Sequence, residues 1–322
     1  MAPRMSGPDD RPIVIGHRGA SGHRPENTLA AFELAYRLGA DSVELDVIAT
    51  KDGALVCRHD VEISRTTDVA AQAQFAHLRR TIEIDDEPVT GWFVPDFTLA
   101  ELRQLTTRER WPKKRAGSAT HDSTYPIPTL AEAIALRDTE AQRSGRHLGI
   151  HVEIKSPEFL RTQGIWLPDL LRGLVGADLT WLSFDEQALV DLAAPRMVRL
   201  FDKSPGAKDI ARAAEYAGAI GVRRKAVLRR DGDGRIAGPA SGPSGLVGRA
   251  HDLDLDVLVW THRAENQHLP VDLQIGPNPH GHGDAAGEAE LLFAAGIDGL
   301  ITDFPEIALL GLSRLPGRAI AR

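Results

Sequence analysis

Eight short apolar segments alternate with helical patterns along this chain, and the alternation predicts parallel βα units. The length of 322 residues suits one large α/β barrel. The expected strands cover residues 13–16, 42–47, 149–155, 180–184, 197–201, 219–222, 256–261 and 299–303. Eight such units close into a TIM (β/α)8 barrel, so we expect a single domain over residues 1–322.

The first βα unit shows clear helix boundaries. Thr28 precedes a pattern in which Leu29, Phe32 and Tyr36 fall on one face, and Gly39 follows it. Threonine accepts hydrogen bonds from the free amides at a helix start, and glycine favours the left-handed turn that ends one. We therefore predict a helix between the first two strands.

Residues 54–59 also resemble a strand, but too few residues separate them from the second barrel strand for a parallel crossover. The Asp52-Gly53 pair is typical of a hairpin turn. We therefore predict an antiparallel return that brings His59 to the level of Glu44.

The connection that follows, residues 61–128, is longer than an ordinary βα loop. We interpret it as a segment inserted after the second barrel strand, with a helix expected at residues 99–105. Because barrel loops of this kind border the active site, the segment is expected to shape it.

Three acidic residues fall near the carboxyl ends of two predicted strands. Glu44 and Asp46 lie two residues apart, so their side chains share one strand face, and Glu153 lies near the carboxyl end of the next barrel strand. Taken singly, each would be explained by an ion pair with arginine or lysine. Together they predict a site for one divalent metal ion, and oxygen ligands favour Mg²⁺, Mn²⁺ or Ca²⁺.

Two histidines and two cations are predicted to join this site. His17 and His59 can move protons near neutral pH, which phosphodiester cleavage requires at both the attacking and the leaving oxygen. Arg18 and Lys155 can neutralise charge on a phosphoryl group. A single histidine would more simply be a buried or surface residue, but here the whole set is present.

Other candidates carry weaker signals. His262 and Arg263 follow the seventh strand and, with Trp260, could contact substrate, although a solvated loop and a packed indole explain them equally well. Asp303 ends the last strand and could bind substrate, but a role as N-cap of the last helix explains it too, and it is left outside the core site. Residues 280–284 are interpreted as a solvated loop.

Composition excludes some functions. With 38 basic and 45 acidic residues, the net charge of −7 gives no broad footprint for nucleic acid or an anionic membrane. A lone Cys57 excludes an intramolecular disulfide. No segment reaches the ~20 apolar residues of a membrane span.

The first eleven residues lack a secretory leader, so we expect a cytoplasmic protein, or a secreted or periplasmic one if a leader was removed. The sequence predicts no oligomeric state.

Several motifs, in this order and spacing, resemble those of the glycerophosphodiester phosphodiesterases. They are His17-Arg18-Gly19, Pro25-Glu26-Asn27-Thr28, Glu44-Leu45-Asp46-Val47, His59-Asp60, Glu153-Ile154-Lys155, Ser183-Phe184 and Ile301-Thr302-Asp303. The resemblance covers residues 13–310, and residues 63–69 are similar to the longer bacterial branch, which carries an insertion.

The resemblance implies a barrel enzyme that hydrolyses small-molecule glycerophosphodiesters, such as glycerophosphocholine, to sn-glycerol 3-phosphate and an alcohol with a divalent metal. It assigns the metal to the three carboxylates, acid-base chemistry to His17 and His59, and phosphate binding to Arg18. It leaves open whether water or the substrate's own hydroxyl attacks phosphorus.

Two alternatives compete with this interpretation. An enzyme for lysophospholipids or glycerol-phosphate polymers would carry the same motifs, with Trp92, Phe93, Val94 and Phe97 forming an apolar entrance unless they are buried. A non-catalytic phosphate-binding barrel is the second alternative, because a fold does not guarantee a function.

Overall fold

The computed structural model describes residues 11–84, 86–176, 178–237 and 245–316. Its strands are β1 (Ile13–His17), β2 (Ser42–Ala49), β3 (Leu55–Cys57), β4 (Arg80–Ile84), β5 (Glu87–Gly91), β6 (Gly149–Ile154), β7 (Thr180–Ser183), β8 (Met197–Phe201), β9 (Ala219–Arg223), β10 (Asp256–His262) and β11 (Gly299–Thr302).

The helices lie mainly between barrel strands. They are α1 (Leu29–Arg37), α2 (Leu99–Leu102), α3 (Ala116–Ala119), α4 (Leu130–Ser144), α5 (Pro157–Thr162), α6 (Leu167–Leu171), α7 (Glu186–Leu192), α8 (Ala207–Ala214), α9 (Arg224–Val227), α10 (Gly245–His251), α11 (Ala285–Ala294) and α12 (Pro305–Ser313). No helix in the described ranges is both long and apolar enough to cross a membrane.

Eight parallel strands form a closed barrel in the order β1, β2, β6, β7, β8, β9, β10 and β11, with β11 pairing back to β1. The predicted TIM barrel is confirmed, and each barrel strand begins at its predicted residue. The expected first helix is also present, with the Thr28 hydroxyl accepting from the Ala31 amide at its start.

Strand alternation sends one set of side chains into the barrel and the other towards the helices. Apolar residues from alternating positions fill the interior: Ile13, Ile15, Leu182, Val198, Leu200, Ala219, Leu258 and Ile301. On β2, Val43, Leu45 and Val47 join the outer core instead. Glu44 and Asp46 therefore face the barrel interior near its carboxyl end, where barrel enzymes build their sites.

The predicted hairpin is confirmed, because β3 pairs antiparallel with β2 and Val47 lies opposite Cys57. Residues 61–128 then form the β4–β5 hairpin, α2, α3 and irregular turns. Helix α2 ends at Leu102, three residues short of the predicted end. Whether this segment is an insertion relative to other barrels stays a prediction.

Of the two possibilities left open for residues 92–97, an apolar entrance or burial, the structure shows burial. Phe93, Val94 and Phe97 are fully buried in the main core, and the Trp92 indole donates to the Phe75 carbonyl at 2.7 Å. These side chains pack in the main core and are not among the residues that line the cavity at the barrel mouth.

The first ten residues, on which the predicted compartment depends, lie outside the described residues, so the compartment stays a prediction.

Candidate active site

The three predicted carboxylates meet at the carboxyl end of the barrel. Asp46 on β2 lies beside Glu153 on β6 in the strand register, and Glu44 lies two residues before Asp46 on the same face. One oxygen from each side chain lies within 4.8 Å of the others. The sequence pattern and the strand pairing therefore produce one acidic cluster.

This cluster fits a divalent cation. Oε1 of Glu44 and Oδ1 of Asp46 are buried and accept no hydrogen bond from the described residues. Burial, followed by the neighbouring carboxylates of Asp46 and Glu153, raises the pKa of Glu44 well above its usual value. Buried carboxylate oxygens without partners are costly, and a cation would satisfy them. Three oxygen ligands would leave coordination positions for water and a phosphate oxygen.

Lys155 and Arg18 contact the same carboxylates. The Lys155 ammonium lies 2.7 Å from Glu153 Oε1 and 3.7 Å from Asp46 Oδ1. The Arg18 amide donates to Glu44 Oε2 at 2.9 Å, and its Nε lies 3.2 Å from Asp46 Oδ2. Arg18 has a φ of 55°, a left-handed conformation that is strained for arginine and often marks functional sites. Both cations therefore lie beside the carboxylates, as the sequence predicted.

A second layer of polar residues holds this arrangement. Asn27 donates to Asp46 Oδ2 at 2.8 Å and accepts from the Asp46 amide at 3.2 Å. Glu26 accepts from Arg18 at 3.0 Å and binds Arg110 through both of its oxygens at 2.7 Å. Sequence reasoning used residues 25–28 as a helix start and as a family motif, but it assigned no role to Glu26 or Asn27. The available signal was that both residues belong to the Pro25-Glu26-Asn27-Thr28 motif.

His17 belongs to a hydrogen-bonded set with Asp303 and Arg115, which we name the inner triad. Nδ1 of His17 lies 2.5 Å from Asp303 Oδ1, and Arg115 donates to the second oxygen of Asp303. Arg263 donates to the same oxygen at 3.0 Å. Burial, then the adjacent Arg18 charge, lowers the pKa of His17 to about 4. Its ring is neutral at neutral pH, with Nδ1 protonated towards Asp303.

The interpretation of Asp303 as an N-cap is wrong. Helix α12 starts after Phe304 and has no side-chain cap, whereas the Asp303 carboxylate is buried against His17 and two arginines. Sequence reasoning missed this residue because its partners lie far away in the chain.

His59 belongs to a second set with Asp60 and Arg110, which we name the outer triad. Nδ1 of His59 lies 2.5 Å from Asp60 Oδ1, and Arg110 donates to Asp60 Oδ2 at 2.6 Å. Burial would raise the pKa of Asp60, but the bonds from His59 and Arg110 hold it well below its usual value. Asp60 therefore stays ionised and fixes the His59 ring through Nδ1.

The site opens into a cavity of about 530 Å³ that contains most of the predicted residues. Its lining includes His17, Arg18, Glu44, His59, Glu153, Lys155, Trp260 and Arg263. Asp46 is fully buried behind the wall. His262 does not reach the cavity, since its Nδ1 lies 2.8 Å from Thr302 Oγ1 and its Nε2 lies 2.8 Å from the Ala285 carbonyl. The suggestion that His262 contacts substrate is wrong.

A barrel with carboxylates, paired histidines and cations at one mouth defines a hydrolase for phosphate diesters. Residues 17–307 match the model of the glycerophosphoryl diester phosphodiesterase family. The chain belongs to this family and is a phosphoric diester hydrolase with glycerophosphodiester phosphodiesterase activity.

Curated relatives support the assignment. The chain is 32% identical over 331 residues to glycerophosphodiester phosphodiesterase GDPD6 of Arabidopsis thaliana, covering 91% of this chain and 84% of the relative. It is 33% identical over 153 residues to a glycerophosphodiester phosphodiesterase of Bacillus subtilis, covering 46% and 42%.

Solved structures share the fold. A phosphodiesterase from Oleispira antarctica, determined in complex with the product sn-glycerol-3-phosphate, has a TM-score of 0.62 at 24% identity over 94% of this chain and 97% of that one. A glycerophosphodiester phosphodiesterase from Agrobacterium tumefaciens has a TM-score of 0.55 at 20% identity over 92% and 98%.

Proposed function

We propose that the chain hydrolyses small glycerophosphodiesters to sn-glycerol 3-phosphate and an alcohol, with one Mg²⁺, Mn²⁺ or Ca²⁺ ion held by Glu44, Asp46 and Glu153. The observation that carries the proposal is the pair of buried carboxylate oxygens that accept no hydrogen bond from the described residues, beside a cavity lined by His17 and His59. The bound product of the Oleispira antarctica phosphodiesterase supports sn-glycerol 3-phosphate as the product here.

The two histidines divide the proton transfers. Nε2 of His17 takes the proton from the attacking hydroxyl, which belongs either to water or to the glycerol moiety. His59 Nε2 donates a proton to the leaving alkoxide as the bond from phosphorus to the alcohol oxygen breaks. The lowered pKa of His17 supports its role as base, because a neutral ring can accept a proton.

The second requirement of the reaction is that the negative charge on the phosphoryl group is neutralised. Arg18 and Lys155 bring positive charge to the cavity wall, where it opposes the charge that builds on the phosphoryl oxygens. A bound divalent ion would act as a Lewis acid on a phosphoryl oxygen. Asn27 and Glu26 keep Asp46 and Arg18 in position.

The first experiment measures sn-glycerol 3-phosphate release from glycerophosphocholine by chelator-treated protein supplied separately with Mg²⁺, Mn²⁺ or Ca²⁺. We expect turnover to return with at least one ion, and that ion to raise the thermal unfolding midpoint. Both effects should be lost in Glu44→Gln and kept in Glu158→Gln, which changes an exposed carboxylate on α5. No turnover of any glycerophosphodiester with any ion would overturn the proposal.

The same reaction distinguishes the two nucleophiles. Attack by the glycerol hydroxyl produces a cyclic glycerol phosphate before the final product, whereas attack by water does not. Phosphorus NMR of a single turnover separates these species. A cyclic intermediate would assign the substrate's hydroxyl as the group from which His17 takes its proton.

A further inference from the structure

The cavity has a cationic wall across the barrel mouth from the carboxylates. We name it the β9 wall, and it consists of Arg223, Arg224, Lys225 and Arg230, which all line the cavity. Strand β9 is four strands away from β2 in either direction around the barrel. A substrate held at the carboxylates of β2 can therefore extend across the mouth towards these cations.

Two of these arginines share one buried carboxylate. Arg224 forms an ion pair with Glu288, whose side chain is 1% exposed, and Arg230 lies 3.4 Å from the same carboxylate. Burial, followed by the nearby charge of Arg224, lowers the pKa of Arg230. A single carboxylate does not neutralise two guanidinium groups, so this pair keeps a net positive charge on the cavity.

The remaining two cations increase that excess. Arg223 forms an exposed ion pair with Asp202, which also lines the cavity. Lys225 is exposed, and no carboxylate in the described part of the chain lies within ion-pair distance of it. The β9 wall thus has two more cations than carboxylate partners. A group with one to two negative charges would balance it.

The aromatic side chains nearby are poorly placed for choline. Recognition of a quaternary ammonium needs aromatic faces free of other cations. Trp260 and Phe184 line the cavity and contact each other edge to face at 5.4 Å. The Arg223 guanidinium lies 5.1 Å from the Trp260 ring centroid, and the Lys155 ammonium lies 5.8 Å from that of Phe184. A trimethylammonium group would meet positive charge at both rings.

We propose that the preferred substrate is a glycerophosphodiester whose leaving alcohol carries a second phosphate, bound by the β9 wall. This inference rests on the proposed function. The glycerol moiety is neutral, so the negative charge that would balance the β9 wall must lie on the leaving alcohol. Guanidinium groups bind phosphate through paired hydrogen bonds, and the Lys225 ammonium adds a point charge.

Two matched substrate pairs test the proposal. The first compares 1,3-bis(glycerophospho)glycerol with glycerophosphoglycerol, and the second compares glycerophosphoinositol 4-phosphate with glycerophosphoinositol. We expect kcat/KM to be about tenfold higher, or more, for the member with the second phosphate. A preference in the first pair alone would indicate that the second phosphate on the leaving alcohol is a diester. A preference in the second pair alone would indicate that it is a monoester. Glycerophosphocholine should be a poorer substrate than either preferred compound.

Substitutions in the β9 wall test whether its cations cause the preference for the second phosphate. Arg223→Glu and Lys225→Glu should each reduce the preference about tenfold, mainly through a higher KM for the charged substrate. Arg229→Glu makes the same charge change on an exposed neighbour outside the cavity, and its preference should equal that of the wild type. The preference should also fall as salt is raised.

Equal kcat/KM within both pairs, faster cleavage of glycerophosphocholine, or an equal effect of all three variants would overturn the proposal. These results leave the proposed function intact, because diesters without a second phosphate would still be cleaved. Absence of cleavage of every diester with every ion would instead overturn the proposed function, and this inference with it.

Discussion

The two histidines of the site occupy similar hydrogen-bonded triads in different environments. In the inner triad the side chain of Asp303 is 1% exposed, whereas in the outer triad that of Asp60 is 29% exposed. His17 and His59 differ in the same direction, at 11% and 29%. Each triad has a carboxylate on Nδ1, so both rings present Nε2 to the cavity.

The difference in exposure fits the two roles that we propose for the histidines. The inner triad is closed by Arg115 and Arg263, which hold both Asp303 and the neutral ring of His17 in place. The outer triad is partly open to solvent, because the side chains of His59 and Asp60 are each 29% exposed. Segment 61–128 supplies Arg115 to one triad and Arg110 to the other, and thereby connects both to the same loop.

The largest expected effect separates the two histidines by leaving group. His17→Ala and His59→Ala should each lower kcat on an alkyl diester by about a hundred- to ten-thousand-fold. On a p-nitrophenyl diester of glycerol phosphate, His59→Ala should recover most of its rate, because this leaving group needs no proton. His17→Ala should not recover. Near-normal turnover by both variants, or recovery of both, would contradict the assigned roles.

Asp303→Asn and Asp60→Asn test the closed triad against the open one. Two arginines donate to Oδ2 of Asp303, so in Asp303→Asn the new amide oxygen should take that position and the NH₂ group should face His17. That arrangement selects the wrong tautomer, and kcat should fall by about a hundredfold or more. In Asp60→Asn the amide can turn in water, and the loss should be about tenfold. Nitrogen NMR of the His17 ring checks the tautomer, and equal losses would contradict the comparison.

The two arginines of the triads should differ in their contribution to stability. Arg115→Met leaves Glu265 and Asp303 buried with fewer cations, and should cost about 3–5 kcal/mol of unfolding free energy. Arg110→Met should cost about 1–2 kcal/mol, because Glu26 keeps Arg18 and Asp60 is partly solvated. Urea unfolding measures both values. Arg172→Met removes an exposed ion pair with Asp169 and serves as the control.

The smallest expected effect is that of His262, a residue beside the inner triad, on the unfolding free energy of the protein in acid. His262 precedes Arg263, and burial lowers the pKa of its ring. The unfolded ring binds a proton below pH ~6.5 that the folded ring resists, so the contribution is complete above that pH and is lost as pH falls. Between pH 6 and 5 the wild type should lose up to ~1.4 kcal/mol per pH unit more than His262→Gln. Parallel stability curves for the two proteins would contradict this expectation.

Local patterns were sufficient for the barrel and the acidic cluster. Strand starts follow from short apolar runs bounded by turn residues, and the position of Glu44 and Asp46 on one face follows from a two-residue period. The position of His59 in the outer triad could also be predicted from the sequence. The Asp52-Gly53 turn determines the register of the hairpin, and Asp60 is adjacent to His59.

Contacts between residues far apart in the chain could not be predicted from the sequence in the same way. Asp303 lies 286 positions from His17 and resembled an ordinary helix cap until the closed barrel placed β11 beside β1. Arg115 is 188 positions from Asp303, in a segment whose sequence shows no regular period. Exposure of the aromatic residues at positions 92–97 was open until packing buried them.

The sequence alone therefore determined the barrel, the three carboxylates and the two histidines, because these depend on periodicity and on neighbours within a few residues. The tertiary structure decided which carboxylate supports His17, which arginines close each triad and that the β9 wall faces the carboxylates. Those relations depend on barrel closure, which brings side chains from opposite ends of the chain to one mouth.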